Sequence, residues 1–179
     1  VGVGVAAVTA WRRVAKPRSA HPPGSRAQAI ERDIRTTQRP AAALGIAVHT
    51  LAENSLSLCA PLNLNYNVHG TAFAGSLYAV GALCAYYLGK EWLLRRGLTP
   101  RYELVAKAGS IQYRRPVVSE SIVAESVLPS LAEMDRFLTT LQTSGKATVE
   151  VCGRVMQSED KVAVEYKVEL CAFLPRPKT

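Results

Sequence analysis

The stretch that decides the fold is residues 65–95, which read NYNVHGTAFAGSLYAVGALCAYYLGKEWLLR. A polar loop is followed by 19 residues, 71–89, that carry no charged side chain. Two arginines and then Gly97 and Pro100 are strong signals for the end of a helix. Since a helix that is apolar on all sides is normally buried in a protein core, the pattern predicts one long central helix over residues 71–95.

The same uncharged run approaches the length of about 20 residues that a membrane-spanning helix needs. Gly, Ser, Ala and Tyr dilute its hydrophobicity, and amphipathic segments on both sides need something to cover them. The small residues of the run would let a sheet wrap closely around it; they are Ala74, Gly75, Gly81, Ala82 and Ala85. We therefore predict a buried helix and no membrane span.

The flanking sequence predicts antiparallel strands. Six segments have strand patterns, at residues 44–50, 55–60, 103–115, 121–128, 148–156 and 162–173. In the last of them apolar residues such as Val164 and Tyr166 alternate with charged residues such as Glu165, which is typical of a half-buried strand. Residues 28–38 are expected to form a short helix, and residues 131–142 a helix or a loop. The expected class is α+β, with an antiparallel sheet around one helix.

Composition indicates a globular chain with a basic end. A length of 179 residues suits one domain with a substantial core. The net charge is +8, but residues 1–40 hold eight basic and two acidic residues, so the other 139 residues contribute only +2. A nearly neutral body does not favour a nucleic-acid-binding face. The cysteines are far apart and show no zinc spacing, so we expect reduced core residues, no metal and no cofactor.

The first 28 residues contain no acidic residue and five basic ones. An Arg-rich, acid-poor leader resembles part of an organellar transit segment, although a flexible basic tail has the same composition. We predict a basic extension over residues 1–35 and a short tail at 175–179. The expected location is the mitochondrial matrix or a matrix-facing complex, with the cytoplasm as the alternative. Trp11 is predicted to anchor the extension on a neighbouring chain of a large assembly, unless the extension folds back on its own domain.

The polar loop predicts a binding site. The first turn of a helix leaves backbone N–H groups without partners and carries the positive end of the helix dipole. Gly70, Gly75 and Ser76 are small enough for an electron-rich oxygen, such as a thioester carbonyl, to come close. Ordinary turn and capping chemistry is the alternative, with Asn67 or Thr71 serving as the cap.

Two segments together resemble a known family. They are residues 61–78, with an Asn-rich loop and His-Gly-Thr-Ala-Phe-Ala-Gly-Ser-Leu-Tyr, and residues 110–117, with Tyr-x-x-Pro. The combination resembles the hotdog thioesterase domain that is also fused to the C-terminus of some bacterial acetyltransferases, and it covers about residues 36–174. The resemblance implies a hotdog fold, a side-by-side homodimer or a heterodimer of hotdog chains, and acyl-CoA or acyl-carrier-protein thioesters bound at the dimer seam.

The resemblance also implies roles for individual residues. The expected catalytic set is Asn67, His69 and Ser76, with the amides at 75–76 on the carbonyl and Asn67 or His69 orienting water. The expected substrate-binding set is Asn65, Gly70, Thr71, Phe73, Gly75, Tyr113 and Arg114. Arg114 and Arg115 could meet CoA phosphates or simply end a solvated strand.

The chain departs from the family pattern in two places. Ala74 stands where the family usually has a glycine. Many hotdog thioesterases carry an acid on the central helix, but the first acid after His69 is Glu91, more than five turns along. Glu120 or Glu125 could supply a carboxylate across a dimer, and Cys84 is interpreted as a buried thiol.

Two function classes follow. The first is an acyl-thioesterase. The second is a non-catalytic hotdog subunit with a structural or acyl-sensing role in a large assembly, for which the mitochondrion is the candidate compartment.

Overall fold

A computed structural model describes residues 21–158 and 161–175. The predictions for Trp11 and for most of the basic extension lie outside these residues. The helices are α1 (Arg26–Thr37), α2 (Arg39–Ala43), α3 (Ala74–Arg95) and α4 (Leu131–Ser144). The strands are β1 (Ala47–Leu51), β2 (Ser55–Pro61), β3 (Glu103–Tyr113), β4 (Ser121–Val127), β5 (Lys146–Ser158) and β6 (Lys161–Phe173).

The strands form one antiparallel sheet in the order β1-β2-β4-β5-β6-β3. Helix α3 packs against the inner face of the sheet and contacts the five strands β2, β4, β5, β6 and β3. Alternate residues of β6, such as Val164, Val168 and Leu170, face this helix and are fully buried or nearly so. The predicted arrangement of a sheet wrapped around one central helix is confirmed. Among the described residues, no helix is long and apolar enough to cross a membrane.

The ring of Tyr166 shows how closely the sheet approaches α3. A Cβ atom added to Gly81 of α3 would lie 2.9 Å from this ring, and one added to Gly153 of β5 would lie 2.2 Å from it. The tyrosine hydroxyl bonds to Ser126 Oγ at 2.8 Å. Two glycines on different elements therefore make room for one large core side chain.

Helix α1 belongs to the same core. Ser25 caps it, and Ile30 and Ile34 are buried against the sheet and α3. Two ion pairs tie α1 to the far end of α3, from Lys90 to Asp33 at 2.6 Å and from Arg26 to Glu91 at 3.0 Å. The helix crosses the predicted boundary at residue 35.

Helix α4 settles the choice between helix and loop for residues 131–142. Ser130 and Glu133 form a capping box at its start, and Gly145 ends it with a positive φ of 69°. Its apolar face, with Phe137 and Leu141, packs on Trp92 in a second cluster at the C-terminal end of α3. This cluster closes the end of the sheet that lies opposite the polar loop.

Candidate functional site

Asn67 organises the polar loop that precedes α3. Its side-chain oxygen accepts hydrogen bonds from the N–H groups of His69, at 2.9 Å, and Thr71, at 3.3 Å. Its side-chain nitrogen donates to Thr71 Oγ1 at 3.0 Å. Because the whole amide is used to close this turn, residues 71–73 stay outside the helix and α3 begins at Ala74 instead of at residue 71.

Asn65 anchors the loop from below. It is 2% exposed and donates from its side-chain nitrogen to the carbonyls of Leu44 and Pro61, both at 2.8 Å. Its own carbonyl accepts the N–H of Phe73 at 2.7 Å. Asn65 therefore holds the chain on both sides of the loop, while its own buried side-chain oxygen has no partner among the described residues.

The start of α3 has no side-chain cap in the described part of the chain. Phe73 occupies the N-cap position, which Ser, Thr, Asp or Asn would normally take. Its ring lies over Gly75, where an added Cβ atom would be 2.4 Å from it. The N–H groups of the first turn, at Ala74, Gly75 and Ser76, have no partner within the helix. A backbone-lined donor site therefore opens beside an aromatic ring.

Tyr113 ties the end of β3 to this first turn. Its hydroxyl donates to the carbonyl oxygen of Ala74 at 3.0 Å. Partial burial, and then the proximity of Tyr78, raise the pKa of the Tyr113 phenol. The hydroxyl therefore stays protonated, as a donor, at neutral pH.

Large apolar side chains surround the site and are exposed to solvent. The group, called the aromatic rim below, consists of Tyr66 (60% exposed), Phe73 (53%), Tyr78 (38%) and Tyr113 (50%). Val68, at the tip of the loop, is 95% exposed. A cluster of this kind marks a surface that binds a ligand or another chain.

A carboxylate lies close to the loop. Glu120 lines a groove of about 560 Å³ together with Tyr66 and Gly70. It reaches this position because β2 pairs with β4, which sets Pro61 opposite Ser121. The sequence suggested Glu120 only across a dimer, whereas the fold brings it to the loop of its own chain.

Residues 27–172 match the family model described as "Putative thioesterase (yiiD_Cterm)". The match covers well over half of the chain. The chain belongs to this thioesterase family. No curated protein matches the sequence.

Solved structures identify the fold of this family member. A Chlorobaculum tepidum TLS protein of unknown function aligns with a TM-score of 0.78 at 20% identity, over 83% of this chain and 94% of its own. A Shewanella oneidensis protein described as a putative thioesterase aligns with a TM-score of 0.66 at 23% identity, over 83% of this chain and 97% of its own. The predicted hotdog fold and the predicted family are both confirmed.

The family's expected site residues are only partly gathered. His69, Gly70, Phe73 and Gly75 lie exposed around the start of α3, and Thr71 is half-buried there. Ser76 is 3% exposed, so little of this residue is open to an external ligand in one chain. The roles assigned to these residues stay predictions.

The two arginines after β3 already have partners within the chain. Arg114 bonds through Nε to Glu165 at 2.8 Å, on the outer face of the sheet, and Arg115 donates to the carbonyl of Val162 at 3.0 Å. A CoA phosphate would have to displace Glu165 from Arg114. The arrangement matches the solvated strand end that the sequence left open.

The other nucleophile and the acid of α3, Cys84 and Glu91, are buried and cannot reach a ligand at the surface. Cys84 is fully buried, its thiol donates to the carbonyl of Leu56 at 3.0 Å, and burial raises its pKa. Glu91 is 3% exposed and lies within 3.0 Å of Arg26. Within residues 21–158 and 161–175, no three His, Cys, Asp or Glu side chains come together as a metal site.

Proposed function

We propose that this protein hydrolyses acyl thioesters of CoA or of acyl-carrier protein at the start of α3. The observation that carries the proposal is the uncapped first turn of α3, exposed at Ala74 and Gly75, beside the Asn67 turn. The thioester carbonyl oxygen would accept hydrogen bonds from the amides of Gly75 and Ser76. These donors are preorganised for the negative charge that develops on that oxygen in the transition state.

The proposed active unit is a side-by-side dimer. Strand β3 ends the sheet, and its inner face and the aromatic rim are exposed in one chain. A second copy paired along β3 would cover the aromatic rim and enclose an acyl chain between the two copies. Desolvation of the site would also strengthen the hydrogen bonds to the thioester carbonyl.

Hydrolysis also needs a group that activates water. The carboxylate that many hotdog thioesterases carry on this helix is missing near the start of α3. The first acid of the helix is Glu91, which is buried at its other end. His69 in the loop and Glu120 in the groove next to it are the proposed proton acceptors. Asn67 acts indirectly, because its amide holds the turn that presents His69.

Steady-state hydrolysis of a series of acyl-CoA and acyl-carrier-protein thioesters tests the proposal. Asn67→Ala and His69→Ala should each lower kcat/KM by about 10²-fold, the scale of losing one oriented donor or acid–base group. His49→Ala is the matched control, because His49 is also exposed but lies on β1. Wild-type turnover equal to that of the blank across the whole series would refute a thioesterase.

A non-catalytic subunit is the second candidate, and one observation favours it. The described part of α3 carries no carboxylate near its start, and its Glu91 is used in an ion pair with α1. In this role the domain would join a large assembly through residues 1–35, and the basic leader supports a mitochondrial location for it. Loss of co-purifying chains on deletion of residues 1–20, with wild-type thioesterase turnover absent, would establish this alternative.

A further inference from the structure

In the peptide bond between Ala74 and Gly75, the carbonyl group has a side-chain hydrogen-bond donor, while the N–H group has no helical acceptor. The carbonyl of Ala74 accepts the Tyr113 hydroxyl at 3.0 Å. The N–H of Gly75 belongs to the same peptide bond and is a first-turn donor without a helical partner. A trans peptide is planar, so its C=O and N–H groups point in opposite directions and rotate together.

A hydrogen bond to this carbonyl has two physical effects on the N–H group. It restricts rotation of the peptide plane, which fixes the direction in which the Gly75 N–H points. It also withdraws electron density from the amide, and hydrogen bonds in a chain strengthen one another by such polarisation. Both effects make the Gly75 N–H a better donor to an oxygen that gains negative charge.

We propose that Tyr113 is a positioning residue, whose hydroxyl orients and polarises the Gly75 N–H group through the Ala74–Gly75 peptide. This inference rests on the proposed thioesterase function and deepens it, because it assigns to Tyr113 a role through the backbone and not on the substrate. Tyr113 stands at the end of β3, so the same hydroxyl connects the sheet edge with the carbonyl-binding turn.

The surroundings of Tyr113 support a directed role. Backbone pairing fixes the register at the end of β3, with Tyr113 opposite Val164 and the N–H of Arg114 bonded to the carbonyl of Ala163 at 2.8 Å. The ring of Phe73 lies close to Gly75, where an added Cβ atom would be 2.4 Å from it. The ring of Tyr113 is half-exposed, so loss of its hydroxyl should not cost the core its packing.

The kinetic test replaces Tyr113 by Phe and by fluorinated tyrosines of increasing acidity, at a pH where every phenol is protonated. Loss of one direct oxyanion donor costs about 10²–10³-fold in kcat, so removal of its support should cost about tenfold, with KM changed by less than about twofold. Across the fluorotyrosines kcat should rise as the phenol becomes a stronger donor. Tyr86→Phe is the matched control, since Tyr86 lies further along α3 and is also partly exposed.

A second readout does not depend on hydrolysis. In protein labelled with ¹⁵N-glycine, the Gly75 amide proton should shift on Tyr113→Phe and should move steadily across the fluorotyrosine series. The amide of Gly97, beyond the other end of α3, should stay in place. Thermal unfolding of each variant confirms that the fold is intact.

The outcomes separate the two claims. A Gly75 amide that follows the phenol acidity supports the inference even if wild-type protein hydrolyses no thioester, in which case the proposed function fails alone. Active protein whose kcat and Gly75 amide ignore the phenol acidity would overturn the inference and leave the thioesterase standing. A kcat that responds while the Gly75 amide does not would also overturn it, because the hydroxyl would then act on the substrate directly.

Discussion

The two edges of the sheet are built in opposite ways. Strand β1, at one edge, has five residues and is interrupted by an irregular register between Val48 and Thr50. Strand β3, at the other edge, has eleven residues, and β6 pairs with it on one side. Natural sheets protect their edges with short strands and with bulges, and β1 uses both, whereas the long strand β3 has a register shift only, between Ala106 and Ala108.

Side chains from the N-terminal part of the domain complete the protection of β1. The buried carboxylate of Glu31 accepts the N–H of Val48 at 3.3 Å, and the His21 ring donates to the carbonyl of the same residue at 3.0 Å. One residue at the centre of the strand thus has both backbone groups occupied. Helix α1 thus closes the β1 edge, while the β3 edge, whose Tyr113 reaches the first turn of α3, stays available to a second chain.

A charge placed on the β3 edge tests whether this edge pairs with a second copy. Ala106 is exposed and sits opposite Leu170 on the inner face of β3, so Ala106→Lys should prevent pairing between copies by burying an unpaired charge. We expect a dimer to become a monomer in sedimentation velocity, with kcat/KM lowered by about 10²-fold or more as the site loses its cover.

The matched control for this variant is Thr50→Lys, an exposed position on β1. It should leave the sedimentation coefficient and the activity as they are. A dimer that survives Ala106→Lys but not Thr50→Lys would show that the edges had been assigned the wrong way round.

The protection of the β1 edge is tested by removing the hydrogen bond between Glu31 and Val48. Glu31→Ala leaves the buried N–H of Val48 without its acceptor, which should lower the free energy of unfolding by about 1–3 kcal/mol. Glu31→Gln keeps a carbonyl acceptor and should cost less. Urea unfolding measures both, and equal stability of the two variants would show that the hydrogen bond to Val48 contributes nothing.

The third and smallest effect concerns the attachment of α1 to α3. Burial works against ionisation of Asp33, but its hydrogen bond to Lys90, the charge of Lys90 and the hydrogen bonds of Tyr87 and Thr37 together outweigh burial and hold the pKa of this carboxyl below its ordinary range. The stabilisation is therefore present above the pKa of an unfolded aspartate, about 4, and is lost as pH falls through the lower folded-state value.

Asp33→Asn removes this contribution, which for a partly exposed ion pair is about 0.2–1 kcal/mol at neutral pH. The difference in unfolding free energy between wild type and variant should shrink toward zero in acid. A difference that stays constant as pH falls from 7 to well below the unfolded-state pKa of about 4 would exclude the ion pair as its source.

The sequence was most informative where one segment carries its own signal. The uncharged run predicted α3, and alternation in residues 164–170 predicted β6, because each pattern repeats within a few turns or residues. The sequence predicts a start of α3 three residues too early, since the side chain of Asn67 closes a turn that keeps residues 71–73 out of the helix. Such a preference depends on hydrogen-bond geometry and leaves no periodicity to detect.

Features that depend on strand order could not be anticipated in the same way. Glu120 reaches the loop through the register of β2 with β4, and Tyr113 reaches Ala74 because β3 lies at the edge beside α3. The burial of Glu31 had no local signal, because a glutamate inside a predicted amphipathic helix normally faces solvent. Family resemblance supplied the fold, but not these three placements.

The close fit of Tyr166 between Gly81 and Gly153 predicts that these three positions covary in evolution. A side chain at either glycine would collide with the ring, so neither position can change while the tyrosine stays. Relatives that carry alanine or a larger residue at 81 or 153 should therefore have a smaller residue at 166 and should lack its hydrogen bond to Ser126. Substitutions at these three sites should therefore be correlated among members of the family, although no two of the sites are neighbours in the chain.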